Sequence, residues 1–139
     1  MAEYSKPLPI PDPMTAPFWE SVRAHAIKLQ RCGGCGQFIF YPRAICPACM
    51  SDDLIWTPVT GRGTVHAFTI PHRHPNPAFG SDVPYVVALV ELEEGPRMLT
   101  NLVDVAPTPE AVRVGMPVEI VYDVVTESIT LPRFRPRQI

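Results

Sequence analysis

The sequence predicts a mainly β protein with an N-terminal helix, a metal-stapled ribbon and a five-stranded barrel. Three observations carry this. Eighteen prolines among 139 residues cut the chain into short segments and exclude long helices, since proline lacks a backbone donor and clashes inside a helix. Five strand-like runs follow one another in the C-terminal part. All four cysteines, Cys32, Cys35, Cys46 and Cys49, fall in the pattern C-x2-C, ten residues, C-x2-C, the spacing of two metal-binding knuckles facing each other across a hairpin.

The N-terminal stretch alternates prolines with apolar residues (Pro7, Pro9, Pro11, Pro13, Pro17) and should run extended, as an arm suited to lie on another surface. From Ala16 to about Ala26 the periodicity becomes helical. Phe18, Val22 and Ala26 recur every fourth residue with Trp19 beside them, and Glu20, Arg23 and His25 are expected on the helix surface. Phe18 and Trp19 are candidates both for the core and for docking on a partner. Around the cysteines, Ile27–Arg31, Phe38–Tyr41 and Leu54–Trp56 read as three short strands.

The five later runs are Thr64–Ile70, Tyr85–Leu92, Met98–Val103, Val118–Val125 and Ser128–Leu131. The second is apolar almost throughout and belongs in the middle of the sheet. Pro109–Arg113 offers room for one helical turn between the third and fourth, and that order is the order of an OB-type barrel. The domain reading is an arm and helix over 1–26, a ribbon over 27–58, and a barrel with a C-terminal tail over 59–139.

Two residues between thiols let both sulfurs meet one ion, with Gly33, Gly34 and Gly36 giving the first knuckle its freedom and Pro47 stiffening the second. Four thiolates select zinc, or iron as a tetrathiolate, over calcium or magnesium. With no signal-peptide pattern and no long apolar run, the expected setting is the reducing cytoplasm, where one metal is favoured over two disulfides. A closed four-sulfur site is structural. Metal binding of this kind contributes roughly 10–16 kcal/mol to a small ribbon.

The formal net charge is −2, with twelve Lys and Arg against fourteen Asp and Glu, which supplies no general attraction for nucleic acid or anionic membrane. Every cysteine is assigned to metal, no G-x-S-x-G elbow or phosphate-binding glycine loop is present, and no convincing active site emerges. His72 and His74 flank Arg73 in the Pro71–Pro84 loop, which is long for a hairpin and has Phe79 near its centre. These are read as partner or solvent contacts first, and as acid–base groups second. His66 is expected to be a satisfied barrel residue. Asp82, Glu91, Glu93, Glu94 and Asp104 read as solvated strand ends. Arg133, Arg135 and Arg137 should project from an extended tail, suited to coenzyme A phosphates or an acidic partner.

Taken in order, Phe18-Trp19-Glu20, Leu29-Gln30-Arg31-Cys32, Cys35-Gly36, Pro42-Arg43, Cys46-Pro47 with Cys49, Gly61-Arg62-Gly63-Thr64-Val65, His72-Arg73, Pro84 to Val90, Gly115-Met116-Pro117-Val118 and Leu131-Pro132-Arg133-Phe134 resemble the DUF35 family. Its members are built from a rubredoxin-like zinc ribbon followed by an OB-fold and are associated with acyl-CoA metabolism. The resemblance implies a non-catalytic subunit carrying one structural Zn2+ on Cys32, Cys35, Cys46 and Cys49. It implies a separate enzyme partner, thiolase-like or an aldolase, in a complex with a possible two-plus-two stoichiometry, and a MaoC-like enoyl-CoA hydratase is the alternative. Phe18, Trp19, His72, Arg73, Phe79, Arg133 and Arg135 are the candidate contacts to that partner or to its acyl-CoA. A single-stranded nucleic-acid module and a rubredoxin-like electron carrier are the competing readings, the first opposed by the charge balance and the second by the barrel.

Overall fold

The computed structural model describes residues 6–138, so the first five residues of the expected arm and the last residue of the tail lie outside the described residues. After the arm come helix α1 (Ala16–Arg23) and a three-stranded sheet of β1 (Lys28–Cys32), β2 (Phe38–Ile39) and β3 (Leu54–Pro58), ordered β2-β1-β3. Five further strands close a barrel: β4 (Arg62–Thr69), β5 (Val86–Leu92), β6 (Arg97–Leu102), β7 (Pro117–Val124) and β8 (Thr130–Pro136). The order around it is β4-β5-β6-β8-β7, antiparallel except where β6 meets β8, the OB arrangement.

Helix α1 stops three residues before the expected end. Ala26 N–H donates to the Ser21 carbonyl at 2.9 Å and His25 N–H to that of Val22 at 3.0 Å, while His25 takes φ 58°, so the two bonds of a Schellman cap turn the chain. His25 leaves the helix surface to stack on Tyr122 at 4.7 Å, a correction to the sequence reading. The buried Ser21 hydroxyl donates to Phe18 O (2.7 Å) and accepts from Lys28 N–H (3.0 Å), tying helix to ribbon.

β5 is central, with alternate residues Val86, Ala88, Val90 and Leu92 buried and both edges paired. They join Phe134, Met98, Val65, Val118 and Val112 in one core that continues into Phe18, Val22, Ile27 and Leu29, so helix, ribbon and barrel share apolar packing. Each such side chain contributes about 1.5–3 kcal/mol on burial. Gly63 sits where β4 is flanked by both β5 and β7; a Cβ there would stand 2.4 Å from the Glu91 carbonyl oxygen.

Two further expectations are corrected and one is met. His66 is the extra residue of a bulge between Val65 and Ala67 and is exposed, outside the barrel core. The Pro109–Arg113 stretch holds a single turn, in which Ala111 and Val112 both donate to the Thr108 carbonyl, the one helical turn for which the sequence leaves room. The arginine tail is a strand: β8 runs through Pro136, pairing with β7 from Val124↔Thr130 to Val118↔Pro136. Phe134 O accepts from Val103 N–H at 2.8 Å, so residues of its parity face β6. Pro132 and Pro136 share that parity, and their missing donors fall on the side where the ladder is a single pair, Leu102↔Phe134.

Candidate metal centre and aromatic groove

The two knuckles are near copies. Gly36 N–H donates to Cys32 O at 2.8 Å and Met50 N–H to Cys46 O at 2.9 Å, and each turn exits through a left-handed residue, Gly36 at φ 80° and Met50 at φ 69°. Cys35 N–H and Ala48 N–H point at the sulfurs of Cys32 and Cys46, both at 3.4 Å. Glycine takes φ > 0 without strain, and methionine does not. A reciprocal clamp supports the second knuckle: the Gln30 amide donates to Arg43 O and accepts from Arg43 N–H, both at 2.8 Å, which satisfies this buried polar side chain.

The four sulfurs lie within 4.8 Å of one another, with Cys32 to Cys49 at 3.5 Å and Cys35 to Cys46 at 3.7 Å. A tetrahedral ion with Zn–S of about 2.3 Å needs sulfurs about 3.8 Å apart, so the cradle fits such an ion, whereas disulfide sulfurs stand at about 2.05 Å. All four thiols are free. Among metal-free thiols the proton affinities split. The Cys35 N–H lowers Cys32 to about 6 against the opposing effect of burial, with Cys49 and the Gly34 N–H adding to the lowering. At Cys49 the Ser51 N–H pulls down, but the neighbouring thiols and burial together push the group up to about 12. One thiolate in the cluster is thus favoured at the cost of the next, as expected for sulfurs gathered to share a cation.

A groove of about 600 Å³ opens on the other side of the ribbon, where arm, α1, ribbon loop, the 71–85 loop and the β6–β8 face converge. It brings together four of the seven candidate contact residues: Phe18, Trp19, Phe79 and Arg133 all line it. Phe18 is itself buried, its ring 5.2 Å from both Trp19 and Phe40. Arg133 donates through Nε to Asp123 Oδ2 and through Nη1 to Asn101 Oδ1, both at 2.7 Å. The other three lie apart. His72 and Arg73 are exposed on the loop, and Arg135 turns to Glu119 across the strand pair at 3.0 Å.

Sequence reading missed Lys6, Leu99 and Asn101. Lys6 pairs with Asp82 at 2.5 Å and lies 5.8 Å from the centre of the Phe79 ring; a lone lysine in a proline arm carries no signal of this. Leu99, on the groove wall, is 60% exposed, an out-facing apolar residue in a strand whose alternation could have marked it. Asn101, beside Thr100 in the third run, was the available clue to the polar wall.

Among the described residues no helix is long and apolar enough to cross a membrane. Residues 19–54 match the family described as the ChsH2 rubredoxin-like zinc ribbon domain, and residues 56–123 the ChsH2 C-terminal OB-fold domain. A probable enoyl-CoA hydratase alpha subunit of Thermomonospora curvata is 41% identical over 86% of this chain, but the chain spans only 36% of that protein. A DUF35 domain-containing scaffold protein of Methanocaldococcus jannaschii is 34% identical over 80% of this chain and 78% of its own length. A solved structure described as the Ltp2-ChsH2(DUF35) aldolase superposes with a TM-score of 0.82 at 38% identity, over 93% of this chain and 98% of that one. With ribbon, barrel and an archaeal relative matched over most of both lengths, the chain belongs to the DUF35 family.

Proposed function

We propose that this chain is a non-catalytic subunit of an acyl-CoA-processing complex, docking on a thiolase-like enzyme, a thiolase or an aldolase. One observation carries the reading: the likeness to the DUF35 aldolase structure extends over nearly the whole of both chains. On this reading Cys32, Cys35, Cys46 and Cys49 hold one Zn2+, which fixes the ribbon and takes no part in chemistry because four thiolates leave no open position. The groove faces the enzyme with its aromatic walls, exposed Leu99 and the half-exposed Tyr41 at its edge. Phe18 and Trp19 shape its floor, Phe79, His72 and Arg73 meet the partner from the long loop, and Arg133 supplies a guanidinium toward the acyl-CoA. Arg135, tied to Glu119, is the weakest of the proposed contacts. A two-plus-two assembly follows if the enzyme is itself a dimer.

A second reading, with a MaoC-like enoyl-CoA hydratase as partner, is favoured by the identity to a hydratase alpha subunit. Affinity capture of the tagged chain from its native cells, followed by native mass spectrometry, separates the two. A stoichiometric thiolase-like enzyme with one zinc per small chain is the expected result. A hydratase selects the second reading, and turnover of acyl-CoA substrates by the isolated chain overturns both.

A further inference from the structure

The groove is closed along one side by its own chain. Lys6 in the arm reaches Asp82 in the loop between β4 and β5 and lies near the Phe79 ring, and Phe79 packs on His74 at 4.5 Å. This loop has little else to hold it. Its one helix, α2 (Pro77–Gly80), is four residues long, capped by Asn76 Oδ1 accepting from Ala78 N–H, and buries none of its residues. The side chains of Lys6 and Asp82 are 22% and 46% exposed, so their attraction is open to screening by salt.

The walls define a ligand class. Six aromatic rings, Phe18, Trp19, Phe40, Tyr41, Phe79 and Tyr85, line a volume of about 600 Å³, within the range that takes a small organic molecule. The polar part of the wall is the Lys6–Asp82 pair, Thr15, Thr100, Asn101 and Arg133, the last held in place by Asp123 and Asn101 through Nε and Nη1. Asn101 is in turn fixed by its Nδ2 donating to Val86 O at 3.0 Å. No acceptor among the described residues takes Arg133 Nη2, so a preoriented donor remains for an oxygen acceptor.

We propose that the groove is a closable binding site for a small organic anion with an aromatic or alicyclic body, and that the Lys6–Asp82 pair between arm and loop is its latch. The rings take the apolar body, Arg133 takes the anionic end, and separation of arm from loop admits and releases the molecule. The inference deepens the reading of the groove given above, since a molecule held there would lie between this chain and its enzyme; the test below uses this chain alone, so its failure is distinguishable from a failure to dock.

The test uses the full zinc-loaded chain and anilinonaphthalene sulfonate, an aryl anion of the stated class. Saturable binding is expected, with energy transfer from Trp19 in a Trp56→Phe background, where it is the only indole left of the chain's two. Lys6→Glu and Asp82→Lys should each speed release about two- to fivefold, and the double exchange should restore the wild-type rate. Raising salt from about 0.05 to about 0.5 M should speed release from the wild type in the same way. Arg133→Gln made together with Asp123→Asn, so that no carboxylate is orphaned, should weaken binding more than about tenfold. Far-UV circular dichroism and zinc content check each variant, and Lys6→Gln replaces any charge reversal that fails them. No saturable binding, binding without transfer from Trp19, or a release rate indifferent to both salt and Lys6 overturns the proposal.

Discussion

Ribbon and barrel are built on different physics. The ribbon's own buried cluster is Cys32, Ile39 and Cys46 with Leu54 against it, far too little apolar surface to order some thirty residues. The barrel closes every strand edge and fills its interior with Phe134, Met98 and a set of valines. One unit gathers four sulfurs into a cradle that fits a cation, and the other relies on water's exclusion. Where they meet, through Phe18, Ile27 and Leu29, the apolar core runs continuously from one to the other.

The largest expected effect separates the two directly. Removing the metal with a chelator, or replacing the buried Cys46 by Ser, should forfeit most of the roughly 10–16 kcal/mol a structural zinc supplies. Amide exchange should then lose protection in β1–β3 while β5 and β8 keep theirs, and a barrel that melts together with the ribbon would break the comparison. The same site makes metal affinity rise with pH. Ligation needs thiolates, and Cys49, pushed up to about 12, still holds its proton at neutrality and must release it. Below about 6 Cys32 also gains a proton, so a zinc competition titration should show affinity falling more steeply there.

On the barrel side, Phe134→Ala should cost about 3–5 kcal/mol in urea unfolding and leave zinc stoichiometry untouched. Gly63→Ala drives a methyl against the Glu91 carbonyl and should cost about 2 kcal/mol, also read by urea. The smallest effect has the opposite sign. Met50→Gly relieves the left-handed strain of the second knuckle, since Met50 is largely exposed and packs little, and should slow zinc loss to a chelator by an amount worth about 0.5 kcal/mol.

These differences explain what can be read in the residues alone. The four cysteines are close together in the chain, and their spacing by itself announces a metal cluster. The nearly continuous apolar run of β5 and the order of five strands carry the barrel. What escapes is non-local or against propensity. His25 takes the left-handed position of the cap that ends α1, and its stack on Tyr122, far along the chain, leaves no mark in the helical periodicity. Pro132 and Pro136 disguise β8 as a tail, because a proline is admitted to a strand only where a donor is not needed, and which side that is depends on β6. The groove gathers residues from five separate segments, and no pattern within any one of them points to Lys6 meeting Asp82.

The parallel pairing of β6 with β8 has a consequence for how the chain is made. Leu102 waits for Phe134, so during synthesis β6 and β7 each present an unpaired edge until the last strand has cleared the ribosome. The ribbon can form while the ribosome is still translating the barrel, as soon as β3 emerges behind Cys49 and metal is at hand. The nascent chain therefore passes through a stage with a finished N-terminal staple and an open sheet behind it. In that interval a chaperone, or an enzyme partner of the kind proposed above assembling alongside, has the most to offer it.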